Sequence, residues 1–486
     1  MLYLPVPQTE WALILPILMV VLSGIFGLVV EMVHPKRDNN LIVTASIIGL
    51  LMSAFLLAVQ FGAPPIRSFG DMVLRDPLAL SMQFIIVIGT ALVILFSEAY
   101  LREKKIPFGE FYPLILWSAT GAMLMVSTTN LLLIFVGLEI LSISLYVLAG
   151  LCRTEERSEE SAMKYFLLGA FASGFLLYGI AFIYGATGSL QLESIATALQ
   201  IGNPTGRTLL MFGLAMLLIG LGFKASFVPF HQWTPDVYEG APTNVTAYMA
   251  TVAKVAAFTA LFRLLGASTG LKEFWVPVLG IIAVLTMLGG NLMALRQTDI
   301  KRILAYSSIS HAGYVLVAIM AHGIAPDKVG PNAIIYYMAS YTLMTIGSFA
   351  IVSLGARNGK ESTSLHDLHG MWQRSPAVAF CLIVFVASLI GLPPTSGFWG
   401  KTLIFSDALT AGLTPLAVVL AVASIISVYY YVNIAYHAFV PDGTDADTAR
   451  MRPGSLALRS ACILCAAGVI GTVIFFTPFI NAFGAK

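Results

Sequence analysis

The sequence predicts an all-α polytopic membrane protein with about 14 transmembrane helices. Hydrophobic residues make up 58% of its 486 residues and charged residues only 11%, and its mean hydropathy is +0.86. A soluble protein of this size could not cover so much apolar surface. The apolar runs hold about 20 residues, which cross a hydrocarbon core of about 30 Å at 1.5 Å per residue. Because the runs do not alternate in ten-residue segments, a porin-like barrel is excluded.

Fourteen apolar runs are the predicted spans, numbered here in chain order. They cover residues 11–30, 41–61, 78–97, 111–128, 130–151, 161–187, 207–230, 242–265, 273–295, 302–323, 332–355, 376–411, 414–438 and 456–480. Residues 1–486 then form a single transmembrane domain, in which residues 1–110 hold spans 1–3 and residues 456–480 form the final span.

The basic residues predict how the chain is oriented in the membrane. Of the 27 Lys and Arg residues, 16 lie in or beside the odd-numbered connections (1–2, 3–4 and so on), 7 in or beside the even-numbered connections and termini, and 4 further inside spans. Cytoplasmic connections of membrane proteins carry an excess of Lys and Arg. We therefore expect the odd-numbered connections to be cytoplasmic and both termini to lie outside.

Spans 7 and 12 are predicted to be broken helices. Span 7 runs into the segment from Gly222 to Pro242, and span 12 contains the segment from Gly391 to Lys401. Proline removes a helical donor, so such breaks persist at membrane depth only beside protein or a water-filled cavity. Packing kinks are the alternative, which a lysine near each break disfavours. Broken helices five spans apart predict two inverted five-helix repeats, spans 4–8 (111–265) and spans 9–13 (273–438).

Four lysines and one glutamate inside the predicted spans are the candidate residues, because a charge at that depth costs about 2.5–3.5 kcal/mol on the insertion scale. They are Glu139, Lys164, Lys224, Lys254 and Lys401. Such charges normally face a partner or water and carry function. We expect Glu139, near mid-depth, to form an ion pair with Lys224. We expect the positive end of the second half-helix of span 12 to disfavour the charged form of Lys401.

Three further residues are candidates with an equally good structural alternative. Lys164 lies only three residues into span 6, so its side chain could reach the cytoplasmic surface instead of taking part in a path. His231 follows the break in span 7 and His311 lies in span 10. Each histidine could relay protons or could simply pack with a hydrogen bond.

No metal or cofactor site is predicted. Cys462 and Cys465 lie within span 14, where small buried cysteines are common, and no second pair completes a cluster site. His366 and His369, in connection 11–12, are interpreted as solvated side chains. The sequence also has no nucleotide-binding fingerprint.

The motifs around the buried charges resemble those of a known family. They are Gly137-Leu-Glu139, Met163-Lys164-Tyr165-Phe166, Phe223-Lys224, Pro229-Phe-His231-Gln-Trp-Thr-Pro235-Asp236, Lys254, and Lys301-Arg302-Ile-Leu-Ala-Tyr306-Ser-Ser-Ile-Ser-His311. Over nearly the whole chain, the sequence resembles the proton-translocating membrane subunits of respiratory complex I and the related Mrp-type cation antiporters. Lysine at position 401, where M-type subunits have glutamate, makes it most similar to the N-type branch. A plant organelle version agrees with the length as well.

The resemblance implies a subunit that moves protons through buried lysines and water while quinone is reduced elsewhere in NADH–quinone oxidoreductase. Glu139 and Lys224 would be the ion pair of the cytoplasmic half-channel, Lys254 the central relay, and Lys401 the terminal lysine toward the periplasm. NADH, FMN, iron–sulfur clusters and quinone would be bound by partner subunits, so this chain would hold no cofactor or metal.

The expected partners are the other membrane-arm and peripheral subunits and the lipid of a bacterial inner membrane, with both termini periplasmic and no nucleic acid. An Mrp-type sodium/proton antiporter subunit is the alternative, because that family shares the Glu–Lys–Lys pattern. A purely structural scaffold is a third reading, which four intramembrane lysines disfavour.

Overall fold

Helices dominate the computed structural model, which describes residues 9–33, 39–106, 109–201, 204–357, 360–441, 455–477 and 480. In chain order the helices are Leu15–Val33, Asn40–Gln60, Pro77–Glu103, Phe111–Val126, Leu131–Ala149, Glu156–Thr187, Glu193–Ile201, Pro204–Ala225, Trp233–Gly240, Thr243–Ala250, Val252–Ala267, Lys272–Ala294, Ile300–Ile324, Asn332–Val352, Met371–Arg374, Pro376–Ile390, Ser396–Thr410, Thr414–Phe439 and Leu456–Ile474. Single 3-10 turns cover Trp11–Leu13, Thr269–Leu271, Ser353–Gly355 and Leu365–Leu368. Two antiparallel hairpins pair Ile66–Ser68 with Val73–Arg75 and Ala356–Arg357 with Lys360–Glu361.

The all-α polytopic membrane fold is confirmed, since a helix lies in each predicted span. Within the described residues, 12 helices are long and apolar enough to cross a membrane by length and composition. Phe111–Val126 in span 4 and Pro376–Ile390 in span 12 are apolar but shorter. The count of 14 transmembrane helices therefore stays a prediction.

Side-chain caps explain where several spans begin. Asp76 accepts a hydrogen bond from Ala79 N at 2.7 Å just before span 3, and Pro77 occupies the first helical position. Asn130 accepts from Leu132 N and Leu133 N at the start of span 5. Helix N-termini leave backbone N–H groups without partners, and Asp or Asn at the cap position satisfies them. The connections are thus set by local chemistry that the sequence contains.

Contacts join the odd-numbered connections to one another at one end of the bundle, called here the basic end. Lys104 in connection 3–4 is paired with Glu155 in connection 5–6. Arg302, beside connection 9–10, is paired with Glu239 in connection 7–8 at 2.7 Å. The helices therefore alternate in direction, as the span numbering requires.

The even-numbered connections meet at the opposite end. Arg67 in connection 2–3 is paired with Glu193 in connection 6–7. Arg263, at the end of span 8, makes two 2.8 Å hydrogen bonds to the Asp76 carboxylate. Both chain termini were predicted to lie on the side of the membrane opposite the cytoplasm. This prediction concerns residues 1–8 and 481–486, which are not among the described residues.

The most buried spans lie at the centre of the bundle and carry Lys254 and His311. Spans 8, 10 and 11 are almost wholly buried, whereas spans 1, 2, 9, 13 and 14 expose much of their apolar surface. Span 4 packs against spans 5 and 8, and span 9 packs against spans 10 and 13. Span 6 packs against span 7, and span 11 against span 12. These pairings match when five is added to the span number.

Both predicted breaks are present, and a third was not predicted. The helix of span 7 ends at Ala225, and the first half of span 12 ends at Ile390. Span 8 is also interrupted, at Thr251, whose φ of −119° and ψ of −80° leave the helical region. The Thr251 hydroxyl donates to Ala247 O at 2.7 Å, a side-chain to backbone bond that competes with the helix ladder. This interruption lies just before Lys254.

Candidate functional site

Lys224 lies in a buried cage of hydroxyl groups, at the end of the first helix of span 7. Its side chain is only 4% exposed. Its Nζ donates to Ser142 Oγ and to the Tyr165 hydroxyl, both at 2.8 Å. It also lies 4.9 Å from the centroid of the Tyr165 ring, within cation–π range. The ammonium is thus held by spans 5 and 6 through neutral groups.

Glu139 does not form the direct ion pair that the sequence predicted. Its carboxylate accepts a hydrogen bond from Ser173 Oγ, and Lys224 is bound to other groups. A small cavity lined by Ser142, Ser173 and Lys224 adjoins the hydroxyl partners of both charges. The expectation of a contact pair was wrong because each charge has a nearer hydroxyl partner. Without direct contact, the two charges can still act on each other through space.

Lys254 is at the centre of the bundle and is 1% exposed. Its Nζ donates to Ser308 Oγ at 2.6 Å and to Ser308 O at 3.0 Å. The Tyr341 hydroxyl donates to the same Ser308 Oγ at 2.9 Å. Lys254 is therefore joined to span 11 through one serine of span 10.

His311 packs between Tyr341, whose hydroxyl donates to the serine that holds Lys254, and Tyr314, whose ring lies 5.1 Å from Lys401 Nζ. Its Nδ1 is 2.6 Å from the Tyr337 hydroxyl, and its Nε2 is 3.1 Å from the Tyr431 hydroxyl. A neutral imidazole donates with one nitrogen and accepts with the other, and it exchanges these roles when it changes tautomer. The ring therefore links two tyrosines in a way that suits proton transfer.

Lys401 is 7% exposed. The electrostatic effect of the helix end beside it is opposite in sign to the one that we expected. Lys401 Nζ donates to Leu389 O at 3.0 Å and to Ile390 O at 2.8 Å. These are the last carbonyl groups of the first half of span 12, so the ammonium lies at the negative end of a half-helix, which favours positive charge. We expected an effect from the positive end of the second half-helix, but Lys401 is already past the first turn of that helix.

Gly391 makes this approach possible. Its φ is +87°, and a Cβ added there would lie 3.0 Å from Lys401 Cδ. Residues other than glycine rarely adopt that backbone conformation. A side chain at this position would therefore strain the break and displace the lysine.

Lys164 is at the basic end, with 39% of its side chain exposed. Its Nζ pairs with Glu160 at 2.6 Å and Asp236 at 2.8 Å. A strongly polar surface pocket surrounds it, lined by Arg157, Glu160, Ser161, Lys164, Asp236, Glu239, Gly240 and Arg302. This position favours the interpretation that the Lys164 side chain reaches the protein surface at the basic end and does not lie deep in the membrane.

His231 lies in the break of span 7 and is half-buried. Its Nδ1 is buried and has no hydrogen-bond partner among the groups that the structure describes. The relay role of His231 stays a prediction.

Several site residues were missed by the sequence analysis. They are Ser142, Ser173, Ser308, Tyr165, Tyr337, Tyr341 and Tyr431, which surround the buried charges. Tyr165 follows Lys164 in the chain, and Ser308 lies in the motif that ends at His311. These serines and tyrosines are polar residues inside apolar spans, and this is the pattern that could have identified them. The sequence analysis named only charged residues and histidines as candidates.

Tyr238 packs near the surroundings of Lys224. Its ring lies 5.9 Å from the ring of Trp233, which stacks on Tyr165, a partner of Lys224.

A second buried charge network lies at the basic end, around Glu361 of connection 11–12. Its carboxylate accepts from the Tyr100 hydroxyl at 2.8 Å and from Thr243 Oγ1, and lies 3.6 Å from Lys104 Nζ. Burial alone would raise the pKa of Glu361, but the charges of Lys301 and Lys104 and these hydroxyls hold it below its usual value. This contact fixes connection 11–12 to spans 3 and 8.

Replacing Glu361 with glutamine should lower stability by about 1.5–3 kcal/mol, the range for hydrogen bonds to charged groups. A carboxyl whose pKa is lower in the folded state stabilises the protein above its unfolded pKa, about 4.3, and this stability is lost as pH falls through the folded pKa. Thermal unfolding of the purified protein across acid pH should therefore be less pH-dependent in Glu361→Gln. The exposed Glu103→Gln is the matched control. Equal pH dependence in wild type and Glu361→Gln would contradict the role of this carboxylate.

The chain is similar to proteins of one family over most of its length. The family model described as NADH:quinone oxidoreductase/Mrp antiporter, transmembrane, matches residues 128–427. The chain is 42% identical over 433 residues to NADH-quinone oxidoreductase subunit N of Trichlorobacter lovleyi, covering 89% of this chain and 88% of the relative.

Solved structures give the same result. A chain of respiratory complex I from Thermus thermophilus with bound aureothin is 34% identical with a TM-score of 0.82, and the match covers 96% of this chain and 99% of that one. A chain of the Mrp complex from a Dietzia species matches at a TM-score of 0.81 and 20% identity, covering 98% and 97%. At that identity the second likeness shows the fold alone.

Proposed function

This chain belongs to the NADH:quinone oxidoreductase/Mrp antiporter family of transmembrane proteins, and we propose that it acts as the N subunit of a bacterial respiratory complex I. It moves protons across the membrane arm while quinone is reduced elsewhere in the complex. It is thus one subunit of a translocase. Its partners are the other membrane-arm and peripheral subunits and the surrounding lipid.

The observation that carries this proposal is the kind of partner that each buried lysine has. Lys224, Lys254 and Lys401 are all held by neutral hydroxyl or carbonyl oxygens, and no carboxylate pairs with any of them among the described residues. Charged residues at membrane depth pair with one another or with backbone carbonyls, and they mark ion pathways and proton relays. An amine held by neutral groups can release its proton without leaving a buried, unpaired carboxylate.

The order of the groups through the bundle supports a proton path. Glu139 and Lys224 form the first station, with the cavity beside Ser142 and Ser173 as the space for water between them. Lys254 and His311 form the central station, and Lys401 is the last. Lys164 and its polar pocket would take up protons at the basic end. His231 would be a second entry point for protons, at the break of span 7.

The proposed orientation follows from the basic connections. With the basic end in the cytoplasm, both termini are periplasmic, and the path leads from Glu139 at the cytoplasmic side to Lys401 at the periplasmic side. The protein would lie in the bacterial cytoplasmic membrane. NADH, FMN, iron–sulfur clusters and quinone would be held by partner subunits.

The chain is proposed to be a single antiporter-like domain, residues 1–486, built on an inverted repeat. Its parts are residues 1–110 with spans 1–3, repeat one at 111–265, repeat two at 273–438, and the final span at 456–480. The matching helix pairings of spans 4–8 and 9–13, and the breaks in spans 7 and 12, support this division. Transporters of this kind bind their ions at broken helices where the repeats meet.

Purification through a tag on this chain tests the proposed function. We expect NADH dehydrogenase subunits to co-purify, and we expect reconstituted vesicles to acidify when NADH and a quinone are supplied. Vesicles made from a strain that lacks the chain are the control. The Mrp-type alternative predicts instead a sodium/proton exchange that needs no NADH, and co-purification with antiporter subunits alone would contradict our proposal.

The coupling of Glu139 to Lys224 can be measured with a double-mutant cycle on NADH-driven proton pumping. Glu139→Gln and Lys224→Ala should each slow pumping, and their effects should be non-additive by about 0.5–3 kcal/mol, as for groups in one network. Glu139→Gln combined with Lys328→Ala, an exposed lysine at the opposite end, is the control cycle and should be additive. Strict additivity in the first cycle would show that the cavity between the two groups does not couple them.

A further inference from the structure

Three histidines that are distant in sequence meet at the basic end. His366 and His369 lie in connection 11–12, and His437 lies in the last turn of span 13. One nitrogen from each ring lies within 4.8 Å of the other two, and His369 Nε2 is only 2.7 Å from His437 Nδ1. The sequence analysis interpreted His366 and His369 as solvated because they lie in connection 11–12, and it did not include His437, which is 68 residues from His369. The fold supplies the third histidine.

We infer that His366, His369 and His437 form a binding site for a divalent transition-metal ion of the Zn²⁺ type. Imidazole nitrogen is a preferred ligand of zinc, cobalt, nickel and copper, and three histidines leave a fourth position for water. Nitrogens bound to zinc at about 2.0–2.1 Å in a tetrahedral site lie about 3.3 Å from each other. To bind zinc, the 2.7 Å distance between His369 Nε2 and His437 Nδ1 must increase slightly. The two distances to the His366 nitrogen, which are at most 4.8 Å, must adjust to about 3.3 Å. Small side-chain rotations are sufficient for both changes.

The backbone around the triad is held in place by bonds that do not use the rings. Gly370 N, next to His369, donates to Val440 O at 2.8 Å, and the Arg374 guanidinium donates to the carbonyl of His369. The rings of Trp372 and Phe439 pack 5.1 Å apart beside this contact. The two segments that carry the ligands are therefore fixed to each other before any ion binds, as a metal site requires.

The ring nitrogens also suit an ion chemically. The contact between His369 Nε2 and His437 Nδ1 requires a proton between them, on one ring or the other. Each imidazole can move its proton to its other nitrogen, so that both facing nitrogens become acceptors for a cation. His366 is exposed, and its ring can rotate to complete the set. Metal binding would tie connection 11–12 to the end of span 13, on either side of the broken span 12.

Titration of the purified protein with CoCl₂, followed by displacement with ZnCl₂, tests this site. Co²⁺ bound by three histidines and water gives visible absorption bands, which Zn²⁺ should abolish at one equivalent per chain. His366→Ala, His369→Ala and His437→Ala should each weaken binding about 100-fold or more, beyond the 10- to 100-fold effect of losing an outer partner of a ligand.

The matched control is His322→Ala, which removes a histidine that hydrogen-bonds to Val329 O and stacks on Phe262 at the other end of the bundle. It should bind Co²⁺ like the wild type. Because His366 is exposed, its replacement leaves the packing intact and reports on the ion alone. Unchanged Co²⁺ binding in His366→Ala and His437→Ala would overturn the assignment. So would equal loss in His322→Ala.

Discussion

Replacing Lys254 with alanine should slow NADH-driven quinone reduction and proton pumping together, by about 100-fold or more, the lower range for loss of a group that transfers protons. Lys254 is 1% exposed, and in the described part of the chain its ammonium hydrogen-bonds to Ser308. Removing it interrupts the path at its most buried station, where bulk water cannot substitute. Quinone reduction falls as well because electron and proton transfer are coupled in such a machine.

Lys254→Arg separates the two ways in which Lys254 could act. Arginine keeps the positive charge but does not release a proton in proteins, so this variant should be nearly as slow as Lys254→Ala. Lys272→Ala, which removes an exposed lysine at the start of span 9, should have normal rates in both assays. Full activity of Lys254→Arg would mean that Lys254 provides a fixed charge and passes no protons.

Loss of Lys401 should have an effect of similar size, and the replacement chosen should matter. Lys401→Ala leaves the carbonyl groups of Leu389 and Ile390 without their donor, and removes a proton-carrying group, so pumping should fall by about 100-fold. Lys401→Glu keeps a titratable group, which in its protonated form can still donate to one of these carbonyls. Its pumping rate should therefore lie above that of Lys401→Ala. Equal rates would show that a titratable group is not sufficient there.

Cysteine labelling tests the direction of the path around Lys401. Thr395→Cys, in the break of span 12, should react with small membrane-impermeant reagents added from the periplasm, whereas Ser173→Cys, next to Glu139, should react from the cytoplasm. The native cysteines Cys152, Cys381, Cys462 and Cys465 are buried, and labelling of the protein without an engineered cysteine measures their background. Labelling of Thr395→Cys from the cytoplasm alone would reverse the proposed direction.

Which positions the sequence could predict follows from the cost of charge in a membrane. Lys224, Lys254 and Lys401 stood out because a charged residue in an apolar run is expensive wherever its helix is placed. Glycine and proline likewise predicted the breaks in spans 7 and 12, because their effect on a helix is local. These are properties of one segment at a time.

The partners of the buried lysines could not be found in the same way. Whether Lys224 contacts Glu139 or Ser142 depends on the rotation of span 5 about its axis, and both residues lie on that span. The interruption at Thr251 could not be predicted in the same way, because no glycine or proline lies beside it. The carbonyl groups that hold Lys401 belong to the preceding half-helix, so their position depends on the angle at the break.

The central position of spans 8, 10 and 11 also has a consequence for how the protein is made. These three have the least hydrophobic windows of the 12 candidate spans that the described residues contain, and they carry Lys254, His311 and many hydroxyl groups. The insertion machinery releases a segment into lipid according to its apolar character. We therefore expect the outer spans, such as 1 and 2, to enter the bilayer alone more readily during synthesis. We expect spans 8, 10 and 11 to be stable in the bilayer once neighbouring helices surround them.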